Sequence, residues 1–175
     1  IAVAIPTEGA TPPESYDNRL LMAFHLGKLE TERRLQNHPE QFELFWFSAG
    51  RLFTPMARER LAQECLKAGA DYMFSIDDDM LAPVDVFEKL FRHRVDIVAA
   101  LAFTRNPPYY PVIYSSLEGF DNVVNSPYFV NHYVRDYKQN SLVECDAVGF
   151  GAVLIDCNVL RGMKEPWFMS TSPTG

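Results

Sequence analysis

Cysteine is scarce in this sequence, and long apolar runs are missing. The 175 residues include three cysteines, Cys65, Cys145 and Cys157, which lie far apart and form no C-x-x-C pair. This spacing excludes a zinc knuckle and a disulfide framework, so we predict buried free thiols in a reducing compartment. No apolar run reaches the roughly 18 residues that a membrane helix needs, and no basic stretch precedes a signal-like segment. We therefore expect a cytoplasmic protein with no transmembrane segment in this chain.

Positive charge is also in short supply. Lys and Arg number 16 against 23 Asp and Glu, which gives a formal net charge of −7. Binding along a nucleic-acid backbone depends on Lys and Arg that neutralise phosphates, so nucleic acid is not an expected partner. With 47% hydrophobic and 22% charged residues, the chain is typical of one globular domain spanning residues 1–175.

The order of strand-like and helix-like segments predicts an α/β fold with a mostly parallel central sheet flanked by helices. We predict strands at 1–5, 42–47, 71–76 and 96–102, with helices at 14–36, 55–68 and 83–92 between them. Residues 103–142 are rich in proline and aromatic residues and predict a small antiparallel excursion with a strand at 112–114. Strands at 143–148 and 150–155 and a short helix from residue 158 follow.

Helix faces and ends follow from the same pattern. In the first helix we expect the core to be contacted by Leu20, Phe24 and, less regularly, Leu21 and Leu29. In the second helix, Thr54 is suited to cap the start, and Gly69 follows the last turn, where a left-handed backbone conformation ends many helices.

Three consecutive carboxylates, Asp77, Asp78 and Asp79, directly follow a predicted buried strand. In open parallel sheets the ligand crevice lies outside the carboxyl ends of the strands. Adjacent carboxylates repel one another unless a cation or hydrogen-bond donors neutralise them. Their oxygen atoms are suitable ligands for Mg²⁺ or Mn²⁺, which would in turn bridge the phosphates of a substrate. The alternative is an acidic turn that caps the next helix. A calcium EF-hand is disfavoured because Ala82 stands where its loop needs glycine.

The sequence resembles the GT-A fold glycosyltransferases, in particular the family-two-like group. The aspartate segment is similar to the D-x-D motif of that group. The resemblance rests on residues 4–7, 57–58, 69–72, 75–80, 147–151 and 166–168. It implies a nucleotide-binding sandwich that moves a sugar from a nucleoside diphosphate sugar to a hydroxyl acceptor with Mn²⁺ or Mg²⁺, with inversion expected. This resemblance implies that Pro6, Thr7 and Glu8 border the nucleoside. It also implies that Arg58, Asp77 and Asp78 hold the donor, and that Asp77 and Asp79 bind the metal.

Other residues have two interpretations each. Gly149 and Gly151 could let the backbone approach a sugar, or they could mark a bulge in a buried strand. Trp167 and Phe168 could stack on an acceptor or pack in the core. Arg105 could meet a diphosphate or form a surface ion pair.

The catalytic base is not assigned by the sequence. The resemblance implies an acidic pair and a metal-binding histidine after the Pro-Trp-Phe segment, so we expect the base beyond Gly175 and a GT-A-like catalytic domain that lacks its C-terminal part. Fallback candidates are Asp146, which alternatively lines the donor pocket, Asp156, which alternatively caps a helix, and Glu165. Glu59 departs from the family, which often has Asn after the Ala-Arg pair.

Two rival functions stay open. One is a non-catalytic module that binds a nucleotide sugar or a metal. The other is a nucleotidyltransferase, which is disfavoured because Pro6-Thr7-Glu8-Gly9 contains one glycine where a Gly-rich phosphate loop would be expected.

Overall fold

A mixed sheet flanked by helices organises the chain in a computed structural model that describes residues 1–7, 11–115, 120–121, 126–127, 134, 137–138 and 140–168. The strands are β1 (Ala2–Thr7), β2 (Phe45–Gly50), β3 (Tyr72–Ile76), β4 (Ile97–Ala99), β5 (Ile113–Tyr114), β6 (Phe120–Asp121), β7 (Ser126–Pro127), β8 (Ala147–Val148) and β9 (Ala152–Asp156). The helices are α1 (Pro13–Leu35), α2 (Thr54–Lys67), α3 (Val86–Phe91) and α4 (Cys157–Gly162).

The central sheet has five strands in the order β2-β1-β3-β9-β4. β1 pairs in parallel with β2 and β3, whereas β9 is antiparallel to both β3 and β4. The chain is therefore α/β as predicted, but the sheet is mixed, because β9 enters it against the direction of the other four strands. A buried apolar run carries no sign of strand direction, so the sequence could not indicate this reversal.

Successive residues of β3 point to opposite faces of the sheet and so build two separate cores. Phe74 packs with buried residues of α1 and α3, and Met73 packs with buried residues of α2 and α4. Cys65 and Cys157 are free and buried on the α2 side, as predicted, whereas Cys145 is free but only half-buried. The connection from β1 to β2 through α1 and the connection from β2 to β3 through α2 thus lie on opposite faces of the sheet.

The predicted inner face of α1 is wrong. Met22 and Leu26 are fully buried, whereas Leu20, Leu21 and Phe24 are 46%, 59% and 68% exposed. Helix α1 carries apolar residues on two sides, so its periodicity alone does not identify the side that meets the sheet.

The ends of α2 confirm one prediction and correct another. Gly69 has a φ of 73°, and its N–H donates to the carbonyl of Leu66 while the N–H of Ala70 donates to that of Cys65, each at 3.0 Å. This is the paired hydrogen bonding that ends many helices at a glycine. Thr54 does not cap α2, because it is already the first helical residue and follows Phe53 at the cap position.

At the far edge of the sheet, β4 is shorter than predicted and leaves Ile97 51% exposed, since an edge strand is not covered on both faces. The predicted antiparallel excursion is present as the pairs β5–β8 and β6–β7. Within the described ranges, no helix is both long and apolar enough to cross a membrane.

Candidate functional site

A crevice opens where β1 and β3 separate. The chain leaves β1 to form β2 on one side and then crosses back to form β3 on the other, which makes this position the switch point of the sheet. The last paired residues are Ala4 and Ser75. Pro6 and Asp77 lie just past that pair, at the carboxyl ends of the two strands, where open α/β sheets bind ligands.

A pocket of about 690 Å³ fills this crevice. The described residues of its lining combine four carboxylates with two arginines and with the first residues of α1 and α2: Pro6, Pro12, Glu14, Ser15, Thr54, Arg58, Asp77, Asp78, Asp79, Leu81 and Arg105. The volume lies within the range of small-molecule sites. Of the residues that the sequence predicted at the site, the structure thus brings together Pro6, Arg58, the aspartate triplet and Arg105.

Arg58 and Asp77 form the most buried ion pair of the pocket. Nη2 of Arg58 donates to both carboxylate oxygens, at 2.9 and 3.0 Å, and the two side chains are 18% and 27% exposed. The guanidinium carbon lies 4.6 Å from the centroid of the Phe150 ring, a cation–π contact. Nε of Arg58 is buried and has no hydrogen-bond partner in the part of the chain that is described. A buried donor without a hydrogen-bond partner is uncommon in folded proteins.

The pKa of Asp77 is raised above its ordinary value. Burial is the largest cause, because it disfavours the charged carboxylate, and the charges of Asp79 and Asp78 act in the same direction. Arg58 opposes the rise through its hydrogen bonds and its charge. Burial therefore makes the charged carboxylate costly, and a further cation nearby would reduce that cost.

Asp79 and Asp78 have weaker partners than Asp77. Arg105 forms an ion pair with Asp79, but the arginine side chain is 80% exposed and the pair is open to solvent. Asp78 accepts a hydrogen bond from the hydroxyl of Thr11 at 3.3 Å. Among the described residues, no group of three His, Cys, Asp or Glu side chains is arranged to hold a metal by itself. A cation here would need oxygens from a substrate or from water.

Three predicted donor residues lie outside the lining. The hydroxyl of Thr7 donates to the carbonyl of Ala49 at 3.3 Å. A Cβ on Gly149 would lie 2.9 Å from Val112, and one on Gly151 would lie 2.9 Å from the sulfur of Met80. The short, branched side chain of Val112 thus requires a glycine at 149, whereas the flexible side chain of Met80 could move away from a Cβ at 151. Glu8 lies outside the described residues.

The fallback base candidates do not line the pocket. Asp156 caps α4 by accepting the N–H of Asn158 at 2.8 Å, as its alternative interpretation predicted. Glu165 accepts a hydrogen bond from Gln63 at 3.1 Å. The backbone N–H of Asp146 donates to the carbonyl of Tyr114, which places it beside β5.

Glu59 holds the segment of Trp167 and Phe168, for which acceptor stacking and core packing were the two interpretations; both residues pack against the core. Its Oε2 accepts the backbone N–H groups of Trp167 and Phe168, at 2.8 and 3.0 Å. Phe168 meets Phe150 edge to face with ring centroids 5.4 Å apart, and Phe150 in turn lies beneath Arg58. The carboxylate of Glu59 therefore anchors the backbone of this segment next to Phe150, the ring that contacts Arg58 of the pocket.

Sequence reasoning missed a second group of lining residues: Pro12, Glu14, Ser15, Thr54 and Leu81. The available signal was positional, since the start of a helix that follows a parallel strand lies at the same sheet edge as the end of that strand. Both helix starts turn their positive ends toward the pocket, which favours an anionic ligand there.

Comparisons with known proteins show the fold alone. No family model matches the chain, and no curated protein matches it. Among solved structures, a crystal structure of A197 from STIV matches at 13% identity, covering 97% of this chain and 72% of that chain, with a TM-score of 0.56. This likeness supports the α/β architecture.

Proposed function

We propose that this chain is a metal-dependent glycosyltransferase that moves a sugar from a nucleoside diphosphate sugar to a hydroxyl acceptor. The observation that carries the proposal is the pairing of carboxylates with arginines in the pocket where β1 and β3 separate, Asp77 with Arg58 and Asp79 with Arg105. The same pocket accommodates both a cation and an anion, which a nucleoside diphosphate with a divalent metal would supply together.

The charge of the pocket supports this pair of ligands. Among the described residues, four carboxylates and two arginines line it, and together they contribute a formal charge of 2 − 4 = −2. A divalent cation would neutralise that charge, and a diphosphate would give the arginines a second anionic partner in the forked geometry that guanidinium groups favour.

The residues present fit Mg²⁺ or Mn²⁺ better than a metal that requires a complete protein cage. Mg²⁺ is commonly bound by one or two carboxylates together with substrate phosphates and waters. Of the two predicted metal ligands, Asp79 is the better one, because its partner Arg105 is 80% exposed and can move away into solvent. Asp77 is the poorer one, because Arg58 occupies both of its oxygens. When bound, the metal supplies charge stabilisation on the diphosphate leaving group.

The arginines and helix starts act on the same leaving group. As the bond between the sugar and the diphosphate breaks, negative charge grows on the diphosphate oxygens, and preorganised donors lower the energy of that state. Arg58 is held in place by Asp77 and Phe150, so its positive charge is already positioned beside the pocket. Arg105 would donate hydrogen bonds to the same diphosphate from the open side of the pocket.

The test uses nucleotide binding and donor turnover in parallel. Calorimetry with UDP and GDP, each with Mn²⁺ or with EDTA, measures affinity, and release of nucleoside diphosphate from UDP- and GDP-sugars measures turnover. We expect Mn²⁺-dependent binding that Asp79→Asn weakens at least roughly tenfold. The matched control is Asp85→Asn, which removes an exposed carboxylate that pairs with Lys89 outside the pocket.

Each outcome separates the rival functions. Metal-dependent release of nucleoside diphosphate supports the transferase. Tight binding without turnover points instead to a non-catalytic binding module, and release of pyrophosphate from a nucleoside triphosphate points to a nucleotidyltransferase. Binding that neither EDTA nor Asp79→Asn affects would overturn the proposal.

A further inference from the structure

Helix α1 presents an apolar surface on the side that faces away from the core. Its large apolar side chains there are more than two-fifths exposed: Tyr16 58%, Leu20 46%, Leu21 59% and Phe24 68%. Only the start of α1 contributes to the pocket, so the site described above does not account for this surface. Contiguous exposed apolar patches on soluble domains commonly mark interaction sites.

The apolar middle of this exposed face is flanked by an acidic residue on one side and a basic residue on the other. With 3.6 residues per turn it runs through Asp17, Leu21, Phe24 and Lys28. Asp17 has no ion-pair partner in the part of the chain that the structure describes. Lys28 is 75% exposed and reaches Glu32 at 3.7 Å, a weak pair on the same helix. The face is therefore acidic toward its start, apolar in the middle and basic toward its end.

We propose that this face binds a second copy of the chain, with the two α1 helices antiparallel about a two-fold axis between residues 22 and 23. Leu21 and Phe24 lie at equal distances from that axis, as do Asp17 and Lys28. Each copy then places Leu21 on Phe24 and Asp17 on Lys28 of the other copy. A two-fold interface forms every such pair twice, so a self-complementary face is its main requirement.

Charge selects both the partner and the orientation. The residues of α1 include four acids and four bases, a formal charge of 4 − 4 = 0. A helix that lies on an anionic membrane would be basic on its polar face, so a membrane is the poorer match. Parallel packing would bring Asp17 against Asp17 and Lys28 against Lys28, and like charges repel. The antiparallel arrangement pairs each charge with its opposite, independently of what the pocket binds.

Sedimentation equilibrium of the 175-residue chain at about 10–100 µM tests the proposal, since a single helix pair buries less area than most permanent dimers. We expect a reversible dimer whose dissociation constant rises roughly 100-fold or more in Phe24→Asp, because the central apolar contact occurs twice. Phe24 is exposed in the monomer, so circular dichroism should be unchanged. Leu35→Asp is the matched control: Leu35 is 78% exposed on the same helix but lies past the overlap of the two helices.

Charge reversal tests the register. Asp17→Lys should raise the dissociation constant roughly tenfold, since it places like charges opposite each other. The double variant Asp17→Lys/Lys28→Asp should return it to within roughly threefold of the original value, a rescue that non-specific apolar association would not show. The proposal is overturned if the chain is monomeric at 100 µM, if Phe24→Asp remains dimeric, or if the double variant gives no rescue. It is equally overturned if the chain stays monomeric in solution and binds vesicles of anionic phospholipid through α1.

Discussion

Nη2 of Arg58 donates to both oxygens of Asp77, so one nitrogen of the guanidinium contacts the whole carboxylate, while the buried Nε has no hydrogen-bond partner among the described residues. This arrangement ties the start of α2 to the end of β3. It also distinguishes the two outer aspartates of the triplet. Asp77 is engaged by a half-buried arginine, whereas Asp79 is engaged by an exposed one.

Removing the arginine should therefore affect stability as well as ligand binding. We expect Arg58→Ala to lower the free energy of unfolding by about 2 kcal/mol, because it leaves a desolvated carboxylate without its partner. Urea denaturation measures the change. Arg60→Ala, an exposed position on the same helix, is the control and should cost less than about 0.5 kcal/mol. Equal effects of the two substitutions would show that the ion pair contributes nothing particular.

The pH dependence of stability should reflect the raised pKa of Asp77. Its folded-state pKa lies above the ordinary value of 3.8, so the folded state binds this proton more tightly than the unfolded state does. The contribution of Asp77 to stability therefore falls as pH rises from 3.8 through the folded-state pKa, and the loss is complete above it.

Comparison with Asp77→Asn isolates this contribution, because asparagine does not titrate. We expect the stability of the original chain relative to Asp77→Asn to decline with pH across that window when both are unfolded in urea. Carboxyl NMR gives the midpoint directly. A midpoint below 3.8 would show that Arg58 outweighs burial and would reverse the sign.

The carboxylate of Glu59 should control the order of the segment that follows α4. Glu59→Ala leaves the N–H groups of Trp167 and Phe168 without their acceptor, and we expect faster hydrogen exchange there and a red-shifted fluorescence of Trp167. Glu59→Gln keeps one acceptor oxygen and should give a smaller change. Glu64→Ala removes an exposed carboxylate from the same helix and serves as the control. Unchanged exchange at residues 167 and 168 in Glu59→Ala would contradict this role.

Two glycines that face open space should respond oppositely to alanine. A Cβ on Gly27 or Gly69 meets nothing within 4 Å, but Gly69 has a φ of 73°, and Gly27 lies inside α1. Gly27→Ala should stabilise the fold by about 0.5–1 kcal/mol through helix propensity. Gly69→Ala should destabilise it by about 1 kcal/mol, because a side chain strains the left-handed backbone. Thermal unfolding measures both, and shifts of the same sign would show that backbone conformation does not decide the outcome.

The sequence predicted what short-range patterns encode. The end of α2 at Gly69 and the aspartates after β3 depend on neighbours a few residues away, and both are where they were expected. The buried side of α1 depends on which of two apolar stripes meets the sheet, and only tertiary packing decides that. Arg105 reaches Asp79 across the crevice between distant segments, a pairing that no local pattern encodes.

The position of β9 between β3 and β4 also governs how the chain assembles. Synthesis delivers β3 and β4 long before residues 152–156 leave the ribosome, so the edges of both strands remain unpaired throughout that interval. Unpaired edges are templates for intermolecular strand addition, and pairing across such a sequence distance is slow. A chain that ends before Ala152 would therefore leave the edges of β3 and β4 that normally pair with β9 open to its neighbours, in addition to the outer edges of the sheet.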